Sequence, residues 1–279
     1  MNKSINHTFP LEGQKAVIFI LSLAAALLMM ALSGLGLAFP VGVYPSQKIA
    51  ETFLANDLVN IIVGLPLFLV SLIYFRREKL LGLLILPGAL IYVAYNYFAY
   101  LLGQPFSWFS ALYLLLIVLS GYSLFQLLGS MDHQAVKEKL EGGVVERLTG
   151  WVLVSFGLAF IALALSEIIP GILDGSIPPL GEKAVSVADI LVSIGWVIGG
   201  VMLLRRRAPG YSLGLGLLLA ASSLFIGLIL FFFFAPLLTG RDFDWIEVLT
   251  VFGMGMICFV PTFLFYRGVI RFKQEGTVA

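Results

Sequence analysis

The chain has 279 residues, of which 60% are hydrophobic and 12% charged, and a formal net charge of +1. So apolar a composition excludes a water-soluble globular protein, and the near-neutral balance excludes a nucleic-acid partner held by charge. A single cysteine, Cys258, excludes a disulfide framework and a CxxC redox or zinc pair.

The first apolar run, Ala16 to Phe39, is too long for the core of a signal peptide and ends without a small-residue cleavage site. It reads as a retained first helix. A bilayer core of about 30 Å needs about 20 apolar helical residues. On that ruler the spans fall at 16–39, 56–75, 80–103, 107–128, 149–169, 187–204, 211–236 and 245–267. The expected fold is an all-α, polytopic integral membrane protein of about eight transmembrane helices. The longest polar interval, Gly129 to Gly150, is too short to be a soluble domain. Both histidines, His7 and His133, fall in polar segments, so no haem or zinc cofactor is expected at membrane depth.

Direction follows from lysine and arginine. With the N-terminus inside, the outer segments carry only Lys48, Lys183 and Arg241, and the other 14 of 17 basic residues (17 − 3) lie inside. Both termini are therefore expected in the cytoplasm, of a prokaryotic plasma membrane. The outer side holds Glu51, Asp57, Glu167, Asp174, Glu182, Asp189, Asp242, Asp244 and Glu247, a net charge of −6 (3 − 9). That is either an electronegative mouth that concentrates cations or the residue of basic side chains retained inside.

Two stretches resemble each other: "ANDLVNIIVGLPLFLVSLIYFRREKLLGLLILPGAL" from Ala55 and "VADILVSIGWVIGGVMLLRRRAPGYSLGLGLLLAAS" from Val187. Each has an aspartate at the outer end of a short helix, a small-residue interruption, an arginine cluster and a Leu/Gly-rich helix. Asp57 matches Asp189. The expected organisation is a four-helix half at 1–128, a cytoplasmic linker at 129–148 and a second half at 149–279. Four spans return the chain to its starting side, so the halves run parallel about an axis along the membrane normal.

Short, Gly/Pro-interrupted helices at matching positions point to a transporter site. Gly64 and Pro66 interrupt the second span, and Gly195, Gly199 and Gly200 loosen the sixth. Asp57 and Asp189 then serve either as helix caps or as site residues. In the third span, Tyr92, Tyr95, Asn96 and Tyr100 share an arc of roughly 140°, while Tyr97 points elsewhere. Tyr100 reaches the outer interface, where the aromatic belt accounts for it. A buried amide without hydrogen bonds costs about 2–7 kcal/mol, so Asn96 needs a partner, and Asn60 is the natural one. Asp57, Asn60, Tyr92, Tyr95 and Asn96 then form a polar pocket open to the outside, with Asn56 and Gln104 near its rim. The plainer reading is an Asn60–Asn96 hydrogen bond between helices, worth about 0.6 kcal/mol. The second half is poorer, since Asn96 corresponds to Leu228 and an apolar "LILFFFFAP" follows.

Other residues say less. Glu167 reads as an interfacial carboxylate, and "GLGLLL" at 214–219 lacks the Lys-Ser/Thr of a phosphate loop. These readings favour a carrier, or a protein that binds a small molecule, cation or lipid. The alternatives are a membrane-embedded enzyme on a lipid-linked substrate, with Asp57, Glu167 and Asp189 as acids or bases, and a structural or accessory subunit.

Overall fold

In a chain this apolar the backbone must satisfy its own hydrogen bonds, which helices do without a partner segment. The computed structural model describes residues 9–11, 13–173, 180–240 and 242–275. Lys3, His7, Asp174 and Arg241, which entered the charge and histidine readings, lie outside these residues; Glu182 and Lys273 are described in backbone only. Among the described residues there is no strand, and 8 helical segments are long and apolar enough to cross a membrane. The protein is an all-α, multi-pass integral membrane protein.

The elements in order are α1 (Lys15–Ala38), the short α2 (Pro40–Val43), α3 (Gln47–Val59), a π-helical turn (Asn60–Gly64), α4 (Leu65–Arg76), α5 (Leu80–Leu102) and α6 (Trp108–Gly129). They continue with α7 (His133–Leu140), α8 (Glu146–Leu173), α9 (Leu180–Leu204), α10 (Ala208–Thr239) and α11 (Trp245–Glu275). The α3, π and α4 segments form one span of 30 residues, Gln47–Arg76.

That length overturns the expectation of short second and sixth helices. Ser46 is the N-cap of α3, its side chain accepting from the Ile49 N–H at 3.4 Å, so Asp57 lies inside the helix and caps nothing. Asp189 is likewise inside α9. The charged, amphipathic turns before each aspartate are helical, and a ruler of uncharged residues cannot see them. Pro66 has no N–H for the ordinary helical bond. The chain passes this point through the wider π turn, in which the Leu65 N–H bonds to the Asn60 carbonyl.

Helix α5 is the central pillar. In its most apolar 18-residue window 72% of residues are buried, against 17% for the span Glu146–Gly171. It crosses α10 where Gly88 meets Gly216: a Cβ on Gly216 would stand 2.9 Å from the Leu84 carbonyl oxygen and 3.1 Å from the Gly88 nitrogen. Only glycine lets the two backbones approach so closely.

The α4–α5 and α9–α10 turns are built alike. Arg77, Glu78 and Lys79 donate to the carbonyls of Ile73, Phe75 and Tyr74; Arg205, Arg206 and Arg207 donate to those of Val201, Leu203 and Met202. Glu78 has φ 52° and Arg206 φ 50°, a left-handed backbone that costs a side-chain-bearing residue energy. Each is also ion-paired to the first turn of a long helix, Glu78 with Lys15 of α1 and Arg206 with Glu146 of α8 at 3.2 Å, so the charges are exchanged between the two places. Glu78 and Arg206 are 128 residues apart (206 − 78). The Asp57–Asp189 match has an interval of 132 (189 − 57), about one helical turn out of step with the turns.

A short helix packs at the arginine-rich end of the bundle. Helix α7 buries Val136 and Leu140 against α10 and α11, and Asp132 N–H bonds to the Pro10 carbonyl at 3.1 Å.

Candidate functional site

The site begins with small residues of α1. In "SGLG" at 33–36, Gly36 lets α3 come so close that an added Cβ would run into the Asp57 carboxylate and the Tyr44 hydroxyl. Pro40 opens α2 directly after Phe39 and turns the chain, so that Tyr44 at its end folds back over Asp57. Asp57 is 1% exposed. The Tyr44 hydroxyl donates to its Oδ2, and the Tyr100 hydroxyl, from α5, donates to its Oδ1 at 2.9 Å. Among the described residues no lysine, arginine or histidine pairs with it. Burial, followed by the Asp57 charge, pushes the Tyr44 phenol well above its usual range, which keeps it a hydrogen donor.

Aromatic rings wall this carboxylate. Phe53 lies 4.5 Å from Tyr100 between ring centres, and Tyr97 and Tyr113 flank Tyr100 at 5.2 and 5.5 Å. Such rings fill the space that water would otherwise occupy.

A second chain of hydrogen bonds runs beside the first. The Tyr92 hydroxyl donates to Asn60 Oδ1 at 3.2 Å, and Asn60 Nδ2 donates to Ser33 Oγ at 3.3 Å. Ser33 Oγ is 3.0 Å from the Tyr97 hydroxyl, which in turn donates to the Met29 carbonyl at 3.2 Å. Asn96 Nδ2 donates to the Tyr92 carbonyl at 2.9 Å and its Oδ1 accepts from Asn56 Nδ2 at 3.3 Å. Asn60, Tyr92, Tyr97 and Asn96 are all buried.

The structure therefore brings Asp57, Asn60, Tyr92 and Asn96 to one place, between α1, α3, the π turn and α5. Tyr95 stands apart from that chain: its hydroxyl donates to Asp189 Oδ1 at 2.7 Å, joining α5 to α9. Asp57 and Asp189 thus belong to separate networks. Glu167, an exposed residue, accepts from Ser186 at 2.7 Å.

Three expectations change. Asn60 and Asn96 are not each other's partners, because Ser33 and Tyr92 claim the first and Asn56 the second. Tyr100 is not interfacial trim but a buried partner of Asp57. Tyr97 does not point away from the cluster: its ring stacks on Tyr100 at 5.2 Å and its hydroxyl lies 3.0 Å from Ser33 Oγ. Ser33, Tyr44 and Tyr100 were missed as site residues. The cue for Ser33 and Gly36 was the small-residue run in α1, which permits close approach; nothing local marked Tyr44.

Among the described residues no three of His, Cys, Asp and Glu are grouped so as to hold a metal ion. No family model, curated protein or solved structure matches this chain.

Proposed function

We propose that this protein is a membrane carrier, or a binder of a small molecule, cation or lipid, whose site is the polar cluster around Asp57. The observation that carries the reading is a carboxylate buried inside a span with hydroxyl partners and, among the described residues, no cation paired with it. A charged side chain at the centre of a span costs roughly 2.5–3.5 kcal/mol on insertion scales, and an ionisable residue within a span is by default a candidate for an ion or substrate path. In this reading Asp57, Asn60, Tyr92 and Asn96 form the main site, and Tyr95 with Asp189 a linked contact to the second half. The bilayer is that of a prokaryotic plasma membrane, both termini are cytoplasmic, and the acidic end faces outward.

The two-half organisation, 1–128 and 149–279 joined by a linker at 129–148, belongs to the same proposal. The matched turns at Glu78 and Arg206 and the α5–α10 crossing at Gly88 and Gly216, both 128 residues apart (206 − 78; 216 − 88), support it. Two similar halves rocking about such a crossing are the common basis of alternating access.

The enzyme reading is weaker because Asp57 is not joined to the other two carboxylates proposed for it. Asp57 and Asp189 sit in different networks and Glu167 is exposed. The accessory-subunit reading has one observation in its favour, that the hydrogen bonds of Asn60, Tyr92 and Asn96 are met within the cluster.

Thermal unfolding in detergent against a panel of ions, lipids and metabolites separates these readings, with wild type and Asn96→Leu side by side. A ligand at 100 times its Kd stabilises by about 2.7 kcal/mol. A hit that disappears in a folded Asn96→Leu protein supports the carrier. No hit, with the variant merely less stable, supports the packing subunit.

A further inference from the structure

The arginine-rich end holds a polar feature separate from the Asp57 cluster. A cavity of about 530 Å³ opens there between the α7–α8 turn, the start of α8 and the α9–α10 turn, and its lining includes Glu141, Glu146, Arg147, Leu148 and Arg206. Both carboxylates are already matched, Glu146 by Arg206 at 3.2 Å and Glu141 by Lys137 at 3.7 Å. Arg147 pairs with no carboxylate among the described residues, and neither do Arg205 and Arg207 on the adjoining turn. The cavity therefore carries an unpaired positive charge.

The backbone adds to that charge. Helix α8 runs for 28 residues from Glu146, and the N–H groups of Arg147 and Leu148 in its first turn have no acceptor among the described residues. The positive end of the helix dipole thus lies at the cavity. The loop before it is fixed: the Gly142 N–H donates to Glu146 Oε1 at 3.1 Å, and Gly268 of α11 packs on the Gly143 carbonyl with no room for a Cβ. Beside it the Tyr211 hydroxyl of α10, fully buried, faces Glu146 without completing a hydrogen bond. A spare donor for Glu146 finds its use when Arg206 turns to another anion.

We propose that this cavity binds the phosphate of an anionic phospholipid from the leaflet at the arginine-rich end. Arg147, Arg206 and the free N–H groups of α8 take the phosphate oxygens, and the Tyr211 hydroxyl replaces Arg206 on Glu146. Position favours a lipid over a soluble anion. The cavity stands at the mouth of the span Glu146–Gly171, where Leu148 and Trp151 are exposed. Trp151 follows Arg147 by four residues and shares its face, as an indole at the membrane interface does. With both lining carboxylates paired, nothing is left for the ammonium of a zwitterionic headgroup.

The test reads Trp151, because the exposed Trp108 and Trp245 can be replaced and Trp196 is only 2% exposed. The protein with Trp108→Phe and Trp245→Phe is placed in phosphatidylcholine vesicles that hold a minor fraction of brominated phosphatidylglycerol or, in parallel, of brominated phosphatidylcholine. The expected result is quenching of Trp151 at a several-fold lower mole fraction of the anionic lipid. Arg147→Gln should weaken that preference about fivefold, the effect of one arginine near an anionic surface, whereas Arg205→Gln, outside the cavity, leaves it. Equal quenching by both lipids overturns the proposal, and so does Arg147→Gln retaining the full preference. An equal loss in the two arginine variants also overturns it and assigns the preference to diffuse surface charge. Reversal by inorganic phosphate, and not by sodium chloride of equal ionic strength, overturns it in favour of a soluble anion. Carriage by the Asp57 cluster plays no part in this readout, so the two readings fail separately.

Discussion

The Tyr100 hydroxyl bridges the second and third spans, meeting Asp57 Oδ1 at 2.9 Å and the Phe53 carbonyl at 3.3 Å from a position 1% exposed. Removing that oxygen takes from the Asp57 carboxylate one of its hydroxyl donors in the interior. Tyr100→Phe is expected to lower stability by roughly 1.5–3 kcal/mol, the range for a hydrogen bond to a charged or strongly polar group. Tyr95→Phe should cost less, because its acceptor Asp189 is only partly buried. Thermal unfolding of both variants in one detergent checks the order, and an equal loss contradicts it.

Gly36 and Gly34 sit two residues apart in α1 and face different surroundings. A Cβ at 36 meets the Asp57 carboxylate and Tyr44 hydroxyl, whereas nothing lies within 4 Å of one at 34. Gly36→Ala should destabilise by about 1–3 kcal/mol through overpacking. Gly34→Ala should be neutral or stabilising by up to about 1 kcal/mol, from helix propensity. Matched melting curves decide it, and a harmless Gly36→Ala counts against the close approach of α1.

The strained turns make a second pair. Glu78→Gly relieves a left-handed backbone at the loss of a solvent-exposed ion pair worth about 0–1 kcal/mol, so its stability should hold or rise slightly. Arg206→Gly relieves the same strain but takes the cation from Glu146, which is 8% exposed and keeps only neutral partners such as the Gly142 N–H. That variant should lose about 1–3 kcal/mol, less than a fully buried pair because Arg206 itself is exposed. Chemical unfolding of the two glycine variants, expected to move in opposite directions, is the check.

His133, at the start of α7, has its Nδ1 2.8 Å from the Ser212 hydroxyl of α10. Burial lowers its pKa below the ordinary value of about 6.5, against the opposing pull of the Leu128 carbonyl and the Asp132 charge. The unfolded chain therefore binds more protons than the folded one in the window below about 6.5. The stabilisation from neutral His133 is present above that pH and is lost as pH falls through the folded-state value. His133→Asn should flatten the acid side of the stability profile below about pH 6.5. An unchanged slope there contradicts the assignment.

Much of the bundle was legible because the bilayer sets span length, and all eight spans were found. The site was legible only in part. Periodicity placed Tyr92 and Asn96 on one arc, but their side-chain partners, Asn60 of the π turn and Asn56 of α3, lie on another span, and no periodicity within α5 encodes those. Tyr100 was misread because depth in the membrane suggested the interface, while the face it presents, towards Asp57, is decided by packing. The helix ends near Asp57 and Asp189 were hidden because charged amphipathic turns interrupt an apolar ruler. The proposed repeat rests in sequence on an aspartate pair and Leu/Gly runs, which any membrane helix supplies; the alike turns at Glu78 and Arg206 support that proposal at a different register.

The account stands on the cluster around Asp57 opening to water, which a packing core never does. The direct measurement places a cysteine at Ser33, the fully buried partner of Asn60, in a Cys258→Ala background, and treats sealed membranes with an impermeant thiol reagent. The account predicts slow but complete modification from the side of the acidic end, with denatured protein reacting at once as the control. No modification from either side of the folded protein would contradict it and leave the tyrosines and asparagines as packing.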